Sequence, residues 1–232
     1  MMKVKKIIVR PLLILLIAAT GCLIYYAWIS FPFMTGYGSK VMCSAVFVAG
    51  RNERQVRDQD LSAYMMKLAD FKVNYADSSV TGSIFGFAKR KAIYRNGLGA
   101  TLISEAGEQN IRSQHINLAT RPAVNTDTIA WPLGDKLADS FPATIDRAKL
   151  QSAIQNIFTE QDTILPIRTR AVVILYKGQL IAERYADGFT AKTKLLGWSM
   201  TKTVTGALIG ILVKEGKLTI DAPAPVPEWH NA

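Results

Sequence analysis

From Pro11 to Ile29 the chain carries no charged residue, and the next charge is Lys40. The run reads Pro-Leu-Leu-Ile-Leu-Leu-Ile-Ala-Ala, then Thr20, Gly21, Cys22, and Leu-Ile-Tyr-Tyr-Ala-Trp-Ile. About 20 such residues cover the hydrocarbon core of a bilayer. There each backbone polar group must be paired within the protein, so a helix is the expected form. Lys3, Lys5, Lys6 and Arg10 precede the run. That asymmetry predicts a single pass through the cytoplasmic (inner) membrane, with the N-terminus cytoplasmic and the bulk of the chain periplasmic. Tyr25, Tyr26 and Trp28 would form the aromatic belt on the far side. Two other fates compete. A cleaved signal peptide lacks a clean small-x-small site after the run. A lipoprotein signal would end at Cys22, after Ala19-Thr20-Gly21, but the apolar run continues beyond it. The uncleaved anchor is the preferred reading.

The remainder has the composition of a folded chain, with 49% hydrophobic residues in 232. The formal charge of +10 would suit nucleic acid if it were concentrated. Four of the basic residues precede the anchor, and the others are dispersed, as in Arg51, Arg54, Arg57, Lys89, Arg90, Lys91 and Arg95. No nucleic-acid-binding signature accompanies them, so no nucleic-acid partner is expected. Cys22 and Cys43 are too differently placed to be read as a pair, and Cys43 reads as a small buried apolar residue. Two histidines and two cysteines, all far apart, give no metal-ligand spacing. No metal or other cofactor is expected.

Ser30 to Lys40, with Pro32, Gly36 and Gly38, reads as a linker. Val41 to Ala49 reads as a strand. Asp58 to Asp70 has helical spacing, with Leu61, Tyr64, Met65 and Leu68 on one face as core packing. Phe71 to Tyr75, Val80 to Phe87, Lys91 to Tyr94 and Leu98 to Ile103 read as strands, the last two joined at Asn96-Gly97. Gly107 to Asp139 has little periodicity, and Arg121-Pro122, Trp131-Pro132 and Gly134-Asp135 mark loops. Ile145 to Phe158 is helical, capped by Thr144 or Asp146, with Leu150, Ile154, Ile157 and Phe158 on one side. Ala171 to Tyr176 and Leu180 to Tyr185 form a hairpin through Lys177-Gly178-Gln179. Ser199 to Glu215 is a helix with Gly216 as its C-terminal cap. Asp221 to Glu228 is an extended proline-rich segment. The fold class is α/β in the broad sense, of the α+β kind. Three parts are expected: residues 1–30 as cytoplasmic stub and anchor, 31–140 as a β-rich extracytoplasmic segment, and 141–232 as a further unit.

The chemistry-bearing motif is Ser199-Met200-Thr201-Lys202. Residues three apart on a helix share a face, so the Lys202 amine can approach the Ser199 hydroxyl. An ordinary lysine is charged at neutral pH, and burial or a neighbouring cation frees the amine to take a proton. A helix N-terminus favours developing negative charge. The Ser199 backbone N–H could donate to the oxyanion of a tetrahedral intermediate. Ser199 is therefore the candidate nucleophile and Lys202 its general base. Gly197-Trp198 precedes the pair. Gly206, Ala207 and Gly210 allow close packing of a helix buried in a soluble core, since Val204 to Val213 is too short to span a bilayer.

Residues from about Ile145 to Trp229 resemble the start of the serine β-lactamase and penicillin-binding-protein-like family. They are most similar to class C β-lactamase-related hydrolases, a group with esterases and 6-aminohexanoate-dimer hydrolases. The resemblance rests on an opening helix, the hairpin Ala171 to Tyr185 and Gly197-Trp-Ser-Met-Thr-Lys-Thr-Val-Thr-Gly206. It continues with Glu215-Gly-Lys-Leu218 and Ile220-Asp-Ala-Pro223. Segments Cys43 to Arg51 and Ala92 to Gly99 are more loosely similar to the N-terminal region of exported members. The resemblance implies the first part of a β-lactamase/transpeptidase-like fold, with Ser199 as the acylated nucleophile and Lys202 as its proton partner. The substrate implied is a small-molecule or peptide-like acyl compound: an amide, an ester or a β-lactam.

The family's later Tyr-x-Asn and Lys-Thr-Gly or His-x-Gly motifs do not follow Ser199. Tyr94-Arg95-Asn96 spells the second motif, but it precedes the serine and sits in a hairpin. His115 and His230 have no glycine two residues on. The chain thus reads as an N-terminal fragment, inactive by itself. The alternative reading is a non-catalytic peptidoglycan- or β-lactam-binding sensor on the same scaffold. A third is an anchored structural domain with an incidental motif. Substrate and oligomeric state lie beyond the sequence.

Overall fold

The computed structural model describes residues 2–232 apart from 63, 115, 116, 118–123, 139, 165, 225 and 230–232. His115, His230 and the Arg121-Pro122 loop signal lie outside the described residues. The chain divides into two compact units, Met1–Lys194 and Leu195–Ala232.

The first element is one helix, α1, Met2–Cys43, of 42 residues, about 63 Å long at 1.5 Å per residue. A π-helical turn, Ser44–Val48, extends it. From Pro11 to Val48 it is long and apolar enough, by length and composition, to cross a membrane. Leu12 to Ile17 and Leu23 to Tyr26 are all more than half exposed. Beyond Phe33 the exposure changes: Met34, Thr35, Ser39, Val41, Met42, Cys43, Ala45 and Val46 are buried.

What covers them is a four-stranded antiparallel sheet in the order β1 (Ala69–Asn74), β2 (Ser79–Ile84), β3 (Phe87–Arg95), β4 (Gly99–Leu102). Its registers pair Ala69 with Ile84, Val80 with Ala92, and Ala92 with Leu102. Phe71, Val80, Ile84 and Ala92 project toward α1 and join Met42, Cys43 and Val56 in one core. Contact between helix and sheet is close because small residues meet there. A methyl group added at Gly38 would lie 2.1 Å from Phe71 Cζ. One added at Gly82 would lie 2.6 Å from Ser39 Oγ and 2.8 Å from the Thr35 carbonyl oxygen. The hydroxyls of Thr35 and Ser39 donate to the carbonyls of Ala88 (2.6 Å) and Arg90 (3.0 Å).

Several sequence expectations are corrected here. Ser30 to Lys40 is helix, not linker: Gly36 and Gly38 mark the line where the sheet approaches. Burial of this face outweighs the helix penalty of about 1 kcal/mol per glycine. Val41 to Ala49 is helical, not a strand. An unbroken apolar run carries no period, and tertiary burial decides its form. The helix expected over 58–70 is instead α2, Glu53–Gln59, followed by a 3₁₀ turn, Tyr64–Leu68. The Asn52 side chain accepts from the amides of Arg54 and Gln55 and starts α2 early. Leu61 is buried, but Met65 and Leu68 are exposed, so the stripe is not core packing.

The strand expected over 80–87 is broken by a two-residue turn at Phe85 (φ +51°) and Gly86 (φ +81°), the primed geometry that suits hairpins. The Asn96-Gly97 signal holds, but the loop takes three residues and Leu98 belongs to it. Gly107 to Asp139 contains a short helix, α3, Glu108–Ser113, and a 3₁₀ turn, Thr126–Thr128.

α3 is fixed to the sheet by charge. Lys91 Nζ lies 2.9 Å from both Asp77 and Glu108, and Arg112 contacts the same two carboxylates. Hydrogen bonds from Ser79 and Lys91 hold the Asp77 carboxyl below the usual range. Those from Lys91 and Arg112 do the same for Glu108. The bond to Glu108, joined by that to Asp77, raises the Lys91 ammonium. Both carboxylates therefore stabilise the fold above their unfolded pKa values, near 4. That contribution is lost as pH falls through the lowered values. The Lys91 contribution persists until pH rises through its raised value, above the lysine range. We expect Lys91→Met to destabilise the fold at pH 7 by on the order of 1 kcal/mol given the partial exposure, read as a lower melting temperature. The difference from wild type should shrink as pH is lowered from 5 toward 3 in thermal melts of the detergent-solubilised protein. A constant difference would contradict this account.

Helix α4, Arg147–Phe158, is capped by the Asp146 side chain, which accepts from the amides of Ala148 and Lys149. Ile154 is buried, whereas Ile157 is 45% exposed, so the expected apolar grouping is only partly realised. Strands β5 (Ala171–Tyr176) and β6 (Gln179–Tyr185) form the expected hairpin. Its turn is Lys177-Gly178, both at positive φ. The hairpin is tied to α2 by charge. Asp60 accepts from Arg170 Nη2 at 2.6 Å and lies 2.8 Å from Arg51 Nη1. The Phe189 ring lies 5.5 Å from both guanidiniums.

Candidate active site

The second unit is built on helix α5, Met200–Lys214. Gly216, at φ +70°, ends it: Gly216 N–H donates to the Val213 carbonyl and Lys217 N–H to that of Leu212. This is the Schellman arrangement, and the expected glycine cap is in place. The Asp221 to Glu228 segment is not extended. It turns through Ala222 N–H to Thr219 O and Trp229 N–H to Val226 O, and a 3₁₀ turn occupies Pro227–Trp229.

At the other end of α5, Trp198 has φ +45°, a left-handed conformation uncommon for a bulky residue. Three successive bonds follow: Met200 N–H to Gly197 O, Thr201 N–H to Trp198 O, and Lys202 N–H to Ser199 O. The Thr201 hydroxyl also donates to Trp198 O at 2.7 Å. Ser199 sits at the cap position with helical angles (φ −67°, ψ −11°), and its side chain does not cap the helix. Its hydroxyl is thereby left to another partner. Lys202 Nζ donates to Ser199 Oγ at 3.3 Å. A neutral amine at that distance would accept the hydroxyl proton. The Ser199 amide makes no backbone hydrogen bond among the described residues.

Ser199 and Lys202, adjacent in the expected way, are both exposed. The helix carrying them has no buried residue, which corrects the expectation of a buried helix. Nothing lies within 4 Å of a methyl group placed at Gly206 or Gly210, so these glycines make no close packing here. The physical reason is that, among the described residues of 195–232, one α-helix and short turns supply no second layer of their own. Tyr94, of the look-alike Tyr-Arg-Asn triplet, is the next-to-last residue of β3 and stacks on Phe47. The left-handed Trp198 is the local feature that sequence reasoning did not anticipate; only its place after Gly197 hinted at a tight turn. Among the described residues no three of His, Cys, Asp and Glu converge as a metal-ligand group.

No curated protein and no solved structure matches the chain. Residues 154–229 match the beta-lactamase family model. The match begins within α4 and runs through β5, β6 and α5, and it includes both Ser199 and Lys202. That stretch is therefore a beta-lactamase-type region, following an N-terminal helix long and apolar enough to cross a membrane.

Proposed function

We propose that the chain is the N-terminal part of a membrane-anchored, extracytoplasmic serine hydrolase, related to the class C and 6-aminohexanoate-dimer hydrolase group, that works through an acyl-enzyme. The carrying observation is the 3.3 Å approach of Lys202 Nζ to Ser199 Oγ inside the region that matches the beta-lactamase family. In this reading Ser199 Oγ attacks the carbonyl carbon of an amide, ester or β-lactam. Once further polypeptide buries the Lys202 amine and frees it of its own proton, the serine proton passes to it and from there to the leaving nitrogen or oxygen. The Ser199 N–H donates to the oxyanion. Water then attacks the acyl group and regenerates the hydroxyl. The left-handed Trp198 supports the assignment, because strain of this kind clusters at functional sites.

The organisation proposed with it is an anchor over 1–30, a β-rich extracytoplasmic part over 31–140 and the start of the hydrolase domain over 141–232. Val204, Leu208, Ile209 and Ile211, each more than 45% exposed, support a site completed by further polypeptide. The family resemblance puts the second oxyanion donor in that further polypeptide, and the loss of one donor costs about 100- to 1000-fold in rate. The 232-residue chain should therefore turn over little or nothing.

The test is covalent labelling of the product of the whole gene in membranes with a fluorescent penicillin and with a fluorophosphonate probe. Wild type should be labelled, and Ser199→Ala should lose the label completely. Lys202→Ala should slow labelling by orders of magnitude. Equal labelling of wild type and Ser199→Ala would refute the nucleophile. A penicilloyl adduct that is never hydrolysed would replace the hydrolase by a sensor; the fluorophosphonate adduct is permanent in either case and reports the nucleophile alone.

A further inference from the structure

Strand β3 runs alongside α1. Ala88 is bonded to Thr35, and Arg90 to Ser39. Further on, Tyr94 stacks on Phe47. Twelve helical residues, Thr35 to Phe47, rise about 18 Å; six strand residues, Ala88 to Tyr94, rise about 20 Å. The two elements are therefore level with each other along the whole contact. Followed backwards from Ala88, Phe87 and the Phe85-Gly86 turn lie about 3–7 Å below Thr35, level with Ser30 to Phe33. The helix face bears this out. Ala27, Ser30, Phe31 and Pro32 are half-covered while Tyr25, Tyr26, Trp28 and Ile29 are exposed.

That level has a meaning for a spanning helix. Twenty residues from Pro11 reach Ser30, about the 30 Å of the hydrocarbon core. The headgroup zone adds roughly 5–7 Å on each side. The β2–β3 turn thus falls in that zone. What it presents there is apolar and otherwise uncovered: Phe85 is 73% exposed and Phe87 74%. Leu68, 44% exposed, precedes Ala69, which pairs with Ile84, so it lies at the same end. Lys67 and Lys89 flank these residues and are exposed. Phe85 moreover adopts the left-handed conformation (φ +51°) with no core contact to compensate. Aromatic and aliphatic tips flanked by lysine are the chemistry that suits the boundary between acyl chains and phosphate headgroups.

We propose that Phe85, Phe87 and Leu68 insert into the headgroup–acyl boundary of the leaflet from which α1 emerges, with Lys67 and Lys89 at the phosphates. The sheet then rests on the bilayer as a second attachment beside the helix. This rests on α1 as a spanning helix, and it is independent of the chemistry at Ser199.

The experiment places nitroxide labels on single cysteines in a Cys22→Ala background, with the buried Cys43 retained. The full chain is reconstituted in nanodiscs of phosphatidylcholine and phosphatidylglycerol at about 3:1. Labels go at Leu68→Cys, Phe85→Cys, Phe87→Cys, Ile17→Cys within the span, and Asn96→Cys at the opposite end of the sheet. All these side chains except Asn96 are largely exposed apolar groups, so core packing is untouched. Accessibility to oxygen and to a water-soluble nickel chelate is read by power saturation. We expect the oxygen-to-nickel ratio at positions 85 and 87 to exceed that at 96 several-fold, between the values at 96 and 17. Water-like ratios at 85 and 87 with a lipid-like 17 would overturn this proposal alone. Protection at 85 and 87 from both reagents would overturn it in favour of a protein cover. A water-like 17 would overturn the anchor and the proposal together.

Discussion

Replacement of Gly82 by valine is expected to unfold the sheet from α1. The first added carbon would lie 2.6 Å from Ser39 Oγ, 2.8 Å from the Thr35 carbonyl oxygen and 2.9 Å from the Phe71 ring. Of these, the carbonyl belongs to the backbone of a helix and has no rotamer to relieve the clash. Overpacking of a filled core costs about 1–3 kcal/mol and sometimes more. Pushing the strand away also strains the Thr35 and Ser39 hydrogen bonds to Ala88 and Arg90, about 1 kcal/mol each. The sum, about 3–5 kcal/mol, is a large part of the stability of an ordinary domain. Gly82→Ala should show a smaller loss in the same direction. Gly206→Ala, with open space around it, should be neutral or slightly stabilising through helix propensity. Thermal melts followed by circular dichroism, with limited proteolysis of the solubilised protein, would decide. Wild-type behaviour of Gly82→Val would mean that helix and sheet are not this close.

Asp60→Ala should be comparably damaging, for an electrostatic reason. Arg51 and Asp60 have side chains only 9% and 13% exposed, and Arg170 is 26% exposed. Removing the carboxylate leaves two guanidiniums facing one aromatic ring with no counter-charge. Breaking a buried pair from one side costs about 3–5 kcal/mol. The partial exposure of Arg170 places this case near the lower figure. The geometry is also imperfect, since Arg51 Nε and Arg170 Nε are buried without a hydrogen-bond partner among the described residues. Removing a cation as well should therefore help. The double variant Asp60→Ala/Arg170→Met is expected to be more stable than the sum of the single losses, a coupling that a double-mutant cycle measures. Strict additivity would show that Asp60 does not act through Arg170.

Legibility from sequence tracked how local the determinant was. The hairpin at Lys177-Gly178, the cap at Asp146 and the glycine stop at Gly216 are set by a few adjacent residues, and they stand where the sequence puts them. So does the Ser199–Lys202 approach, which needs only one helical turn. The stretch from Ser30 to Ala49 was misread because its form is decided by strands that lie 30 to 60 residues further on. Gly36 and Gly38 read as flexible when their neighbours are unknown. Once the strands are placed, an added carbon at Gly38 would lie 2.1 Å from the Phe71 ring and one at Gly36 3.2 Å from the Leu102 side chain. Asp60 carried no signal either, because Arg170 lies 110 residues away. The apolar surface of α5 is plain in the sequence, while its exposure is not.

The double use of α1 has a consequence for how the protein is made. The helix that is long and apolar enough to cross a membrane also supplies Met34, Val41, Met42 and Cys43 to the core of a sheet that follows it in the chain. With α1 spanning a bilayer, as proposed, the strands would have no complete core until that helix had been handed over to the lipid. Biogenesis of the sheet would thereby be ordered behind insertion. Proteolytic release just after Ile29 would spare this core, whereas a cut after Cys43 would remove the helix on which the strands assemble. Any secreted version of the protein has to begin before Phe31.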